Sequence, residues 1–90
     1  MSEPLHQFLN QVVVLDTNTP IVYLGTLAEV TSSVFVLDSA DMHDCRDGHA
    51  TKEQYLHEAR DGGVTVNRRR VVVLQSAVIS VSRLVDVVAE

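Results

Sequence analysis

A single glycine, Gly25, interrupts a stretch from Ile21 to Thr31 that otherwise reads as a β-strand. A glycine inside a strand marks a sharp bend or a close backbone approach, which is how small barrels turn their corners. Strand signals flank it on both sides. Val12-Val13-Val14-Leu15 is too short and too β-branched for a helix. The turn cluster Asp16-Thr17-Asn18-Thr19-Pro20 links it to the glycine-containing strand. Ser32-Ser33 makes a further turn, and Val34-Phe35-Val36-Leu37 forms a third strand. Two longer Val-rich strands, Val64 to Leu74 and Ala77 to Val88, are parted only at Gln75-Ser76. Ahead of them all, Leu5, Phe8 and Leu9 fall at i, i+3 and i+4. That spacing predicts a short amphipathic helix capped by Ser2, with Glu3 and Pro4 in its first turn and Asn10 at its end.

The segment between the third and fourth strands differs in kind. Residues 38–63 hold seven acids (Asp38, Asp41, Asp44, Asp47, Glu53, Glu58, Asp61) and three bases (Arg46, Lys52, Arg60), so −4 of the formal −5 net charge lies there. Thr51 and Gln54 have capping-box spacing, and Lys52 to Arg60 is a short helix candidate stopped by Asp61-Gly62-Gly63. The chain is therefore expected to be one domain over 1–90, with a partly helical, mostly solvated insertion at about 39–63.

Ninety residues at 46% apolar composition suit one small globular fold. A chain of that size buries only roughly 60–65% of its unfolded surface, so self-association would strengthen it. Long Val-rich strands on an open edge must be paired or covered, and at least one here is expected to pair with another chain. One cysteine excludes an intrachain disulfide. No apolar run approaches the roughly 18–20 residues that span a bilayer, and Met1-Ser2-Glu3-Pro4 lacks signal-peptide character. The expectation is a cytoplasmic protein with no membrane contact.

This layout of helix, five strands, bend glycine and variable insertion resembles the Sm-like family (LSm and Hfq type) over roughly Leu5 to Val87. Val12-Val13-Val14-Leu15-Asp16, Val22-Tyr23-Leu24-Gly25-Thr26-Leu27 and Val34 to Leu37 match its first motif. Val73-Leu74-Gln75-Ser76-Ala77-Val78-Ile79-Ser80-Val81 matches the second, in a form similar to the Hfq version. The resemblance implies a mostly β, strongly bent five-stranded barrel, assembling into homo-oligomeric rings of about five to eight subunits. It implies pairing of the fourth strand of one subunit with the fifth of the next, through Val66, Val71, Val72, Val73, Leu74, Val78, Ile79 and Val81.

RNA-binding members place an Asp and an Asn four residues apart after the bend glycine, and an Arg-Gly in the second motif. Here those positions hold Thr31 and Phe35, with Gln75-Ser76 near the third. Phenylalanine cannot supply an amide that reads a base edge, although an aromatic face can stack on a base. Candidate RNA contacts are therefore Phe35, Gln75, Ser76 and the basic run Arg68-Arg69-Arg70. Alternation along a strand keeps those arginines from forming one patch in a single subunit, but a ring would repeat them as a circle. Solvated strand positions, or ion pairs with an acidic insertion, are the competing reading of the same residues.

His43, Cys45 and His49 are weak metal candidates, because their spacing matches no established zinc pattern. No nucleophile–base arrangement, glycine-rich phosphate cradle or cofactor motif stands out. The expected activity is non-catalytic and cofactor-free: a ring-shaped scaffold associated with RNA, or a structural ring that engages a protein partner through its acidic insertion.

Overall fold

The run Val12 to Leu15 is continuously apolar because its strand is buried on both faces. The computed structural model describes residues 3–46 and 51–88. In it, β1 (Val12–Thr17) sends Val13 and Leu15 into one apolar cluster and Val14 into another. The following elements are β2 (Ile21–Val30), β3 (Val34–Asp44), α2 (Lys52–Gly62), β4 (Arg68–Leu74) and β5 (Val78–Arg83). A four-residue helix, α1 (Glu3–His6), precedes them, and 3-10 turns occupy Gln75–Ala77 and Leu84–Asp86. All strand pairs are antiparallel, in the order β4-β3-β2-β1-β5.

The inner cluster joins Val13, Leu15, Leu27, Val30, Phe35, Leu37, Ala40 and Val73, and Leu5, Phe8 and Leu9 lie against it. The predicted apolar stripe thus lies on the sheet as expected, although the helix is shorter than the sequence suggests. The helix ends at His6 rather than at Asn10, which takes a left-handed conformation (φ 65°) at the end of the following turn, an Asn tendency. The Ser2 cap lies outside the described residues. The outer cluster joins Val14, Val22 and Leu24 to Leu56 and Ala59 of α2 and to Leu84.

Gly25 serves the predicted close approach. A Cβ built on it would stand 3.1 Å from the Cα and Cβ of Ala40 and from the Cβ of Leu37. The β2–β3 register shifts on either side of it, between Leu24 and Thr26, and again between Leu27 and Glu29. On β3 the matching irregularity is Ser39, at φ 50°. The pair of defects bends both strands together and returns Ala40 to the inner cluster.

Three boundaries depart from expectation. β3 does not stop at Leu37 but runs to Asp44, because residues 38–44 pair along β2 from Thr26 back to Ile21. The inserted segment therefore begins at Cys45 rather than at about residue 39, and Asp41 is a buried strand residue. β4 begins only at Arg68, and β5 ends at Arg83. Ahead of β4, the Asn67 side-chain amide imitates one further step of pairing: its Oδ1 accepts from Met42 N (3.0 Å) and its Nδ2 donates to Met42 O (3.1 Å).

The capping box on α2 forms as its spacing predicts. Thr51 Oγ1 accepts from Gln54 N (3.2 Å) and Gln54 Oε1 accepts from Thr51 N (2.9 Å). Gly63, at φ 92°, closes the other end by donating its N–H to Ala59 O (2.8 Å). Thr51→Ala is expected to lower stability by about 1 kcal/mol in urea denaturation. No measurable change would mean that docking contacts alone hold the helix.

Candidate functional site

The β2–β3 turn and the junction between β4 and β5 are stitched to each other. Thr31 Oγ1 accepts from the N–H groups of Ser33 and Val34, both at 3.1 Å, which folds the β2–β3 turn around its own side chain. Gln75 N donates to Ser33 O (2.9 Å), and Gln75 Nε2 donates to Thr31 O. Thr31 Oγ1 and O and Gln75 N and Nε2 are thus engaged in holding the loops together. Ser76 is exposed beside them. The expected stacking face at Phe35 is not offered: the residue is 2% exposed and packs in the inner cluster. At one end of the sheet, α1 and β5 enclose a groove of about 360 Å³, to which Phe8, Phe35, Gln75 and Val81 contribute.

The arginine run divides as strand alternation requires. Arg70 grips Asp38 across the β3–β4 pair with two bonds, Nε–Oδ1 at 2.7 Å and Nη2–Oδ2 at 3.2 Å. The guanidinium holds the Asp38 carboxyl below its ordinary range, against a smaller opposing effect of burial. Both partners are well exposed, so the pair adds little stability. Arg68 donates to Asn67 O (3.0 Å), and Arg69 is exposed with no side-chain partner among the described residues. The acid that meets this run is Asp38 of the same chain and strand pair.

Both outer strands of the sheet are paired on one side only. Their expected interface residues separate into two sets. Val66, Val72, Leu74 and Ile79 are 50–63% exposed, Val66 lying just ahead of β4. Val71, Val78 and Val81 are half-buried against the inner cluster. Val73, 3% exposed, is a core residue, which corrects its assignment to the interface. Val85 and Val88 are exposed beyond β5, which ends at Arg83 although the strand was expected to run to Val88.

The helix α2 covers the outer cluster with Leu56 and Ala59 and is pinned by polar contacts. Lys52 Nζ meets Asp16 Oδ1 at 2.5 Å and Thr17 O at 3.2 Å. Arg60 Nη1 donates to Val87 O, and His57 Nε2 to Val88 O (2.8 Å). The Tyr55 hydroxyl donates to Asp41 Oδ2. Burial, and then the Asp41 bond, push the phenol far above its ordinary pKa, so it keeps its proton. His43 stacks on the Tyr55 ring, with centroids 3.9 Å apart and planes 5° from parallel. Of the other metal candidates, Cys45 packs at the outer cluster with its thiol pKa pushed up by burial, and His49 lies outside the described residues. Among the described residues no three His, Cys, Asp or Glu side chains converge. Beside Asp41, Tyr55, Glu58 and Ala59 together with Gly62, Gly63 and Thr65 wall a second cavity of about 240 Å³.

No family model matches the chain, and no curated protein matches it. Among solved structures it is similar to an Sm protein of Pyrococcus abyssii, determined in complex with a uridine heptamer. The match has a TM-score of 0.61 at 18% identity and covers 90% of this chain and 93% of that one. A likeness over nearly the full length of both chains at such low identity shows that this chain has the Sm fold.

Proposed function

We propose, taking the Sm fold as premise, that the chain is a non-catalytic subunit of a homo-oligomeric ring that serves as an RNA-associated scaffold. The observation that carries this reading is the pair of open sheet edges. β4 and β5 each leave one side of their backbone unpaired and display Val72, Leu74 and Ile79 beside it. Joining one edge to the other removes both liabilities, and head-to-tail repetition closes a ring. The similar Pyrococcus protein was solved with RNA, which supports the RNA part of the proposal.

With Thr31, Phe35 and Gln75 committed internally, RNA would be held mainly by phosphate contacts from Arg68 and Arg69. Native mass spectrometry with and without a uridine-rich oligonucleotide tests both parts at once. Affinity is expected to fall by an order of magnitude or more between about 50 and 200 mM salt. Substituting Arg68 and Arg69 by Ala is expected to flatten that dependence by about one unit of slope per lost contact. Absent or salt-independent binding would remove RNA, and a monomeric mass would remove the ring.

One observation favours a second reading, a structural ring that engages a protein partner. The bases of α2, Lys52 and Arg60, turn to the barrel, whereas Glu53, Glu58 and Asp61 are exposed. Neutralising these three acids would then abolish partner capture and leave the ring mass unchanged. Because α2 covers an apolar cluster, point changes on its exposed face leave that packing in place.

A further inference from the structure

Among the described residues, the exposed large apolar side chains other than Val12 fall into two groups of three. Val66, Val72 and Leu74 lie on β4 or just ahead of it, along one free edge of the sheet. Ile79, Val85 and Val88 lie on β5 or just beyond it, along the other. Val66, Val85 and Val88 stand outside any strand, yet polar contacts hold both of their segments in place. Asn67 N donates to Ala40 O (2.9 Å), and the Asn67 amide makes both its bonds to Met42, so the chain at Val66 continues the open edge. Beyond β5, Val87 packs at the outer cluster, and Arg60 and His57 of α2 bond the carbonyls of Val87 and Val88. The insertion thereby fixes a tail whose Val85 and Val88 side chains are 74% and 78% exposed.

The two groups match in spacing. Six residues separate Val66 from Val72, and six separate Ile79 from Val85. Antiparallel neighbours with Val72 beside Ile79 therefore bring Val66 towards Val85. The 3-10 turn at Leu84–Asp86 shortens the second path by roughly 1 Å per residue, so Val66 falls between Val85 and Val88.

Charge selects the same pairing. Two β4 edges joined to each other would set Arg68, Arg69 and Arg70 against Val72 and Leu74, or against a second arginine run. On the β5 edge, Asp86 is the one acid among the described residues after Leu74, and it lies at the end the arginines would reach. Its carboxylate already neutralises Arg83 (Nε–Oδ2 2.9 Å), so that end does not repel them.

We infer that Val66 of one subunit packs against Val85 and Val88 of a second copy of this chain. The contact extends the proposed β4–β5 junction onto the tail held by α2, and it rests on the ring reading. It gives the insertion a part in assembly, through the tail that His57 and Arg60 position.

Disulfide trapping tests it. Val66→Cys and Val85→Cys chains of different mass, each also carrying Cys45→Ser, are co-expressed, oxidised and weighed by denaturing mass spectrometry. Links between a Cys at 66 and a Cys at 85 are expected to outnumber 66–66 and 85–85 links several-fold, because only close Cα atoms can be bridged. Val85→Asp, at an exposed position, should raise the concentration at which wild-type rings dissociate by about tenfold and leave the urea midpoint of the monomer unchanged. A wild-type ring that gives no excess of 66–85 links and is unaffected by Val85→Asp would overturn this contact and leave the ring standing. A wild type that stays monomeric at every concentration would remove the ring itself, and the contact with it.

Discussion

In the proposed ring, replacing Val72 and Leu74 together by lysine is expected to leave monomers with the fold intact. Both side chains stand exposed on the free edge strand, 56% and 60%, while the intervening Val73 points into the core. Burying each against a neighbouring edge contributes about 1–2 kcal/mol. Lysine reverses that and is the residue natural sheets use to block edge pairing. Every contact of the proposed ring would lose both side chains, so the loss would be repeated around it. Light scattering after gel filtration should report one subunit's mass, with an unchanged far-ultraviolet dichroism spectrum. A ring that survives the double substitution would place the subunit contact somewhere other than β4. Val73→Ala is the internal control: it should lower stability by about 1–3 kcal/mol through the cavity it leaves, while affecting assembly far less.

Phe35→Asn should cost about 3–5 kcal/mol in urea denaturation, a large share of the stability of a ninety-residue chain. The change introduces the amide that the Sm-like resemblance leads one to expect at this position, so it probes what the aromatic residue does instead. Phe35 pairs with Val30 on β2 and Val73 on β4, and its ring packs among the inner cluster. Asparagine would leave a cavity and an amide with no partner. A loss below about 1 kcal/mol would show that the ring contributes little to the core and would reopen its role as a surface for bases.

Much of the fold was legible because its signals are local. The bend at Gly25, the α2 capping box, the turn at Ser32–Ser33 and the stripe Leu5–Phe8–Leu9 each follow from spacing within a few residues, as does the turn expected over Asp16–Pro20, although β1 runs on through Thr17 and leaves only residues 18–20 to it. The strand at residues 38–44 was not legible. Its acids and Ser39 read as a solvated loop, yet pairing with the first half of β2 outweighs that composition. The candidate site was less legible than the fold. The arginine run was visible, but its nearest acid, Asp38, lies thirty-two residues away in sequence. Asp41 gave no sign that it would be buried beneath Tyr55.

Taken alone, the sequence determined the element types, the place of the bend and the need to cover Val-rich edges. Periodicity, β-branching and turn chemistry act over neighbouring residues and need no knowledge of the rest of the chain. Tertiary structure alone decided which face each valine occupies, because the register shifts near Gly25 and Glu29 and the left-handed Ser39 reset the two-residue alternation. It also decided that Phe35 belongs to the core, that Arg70 answers Asp38, and that Asp41 closes a cavity under α2. Each of these depends on side chains brought together across the sheet, where contact free energy overrides what either residue prefers by itself.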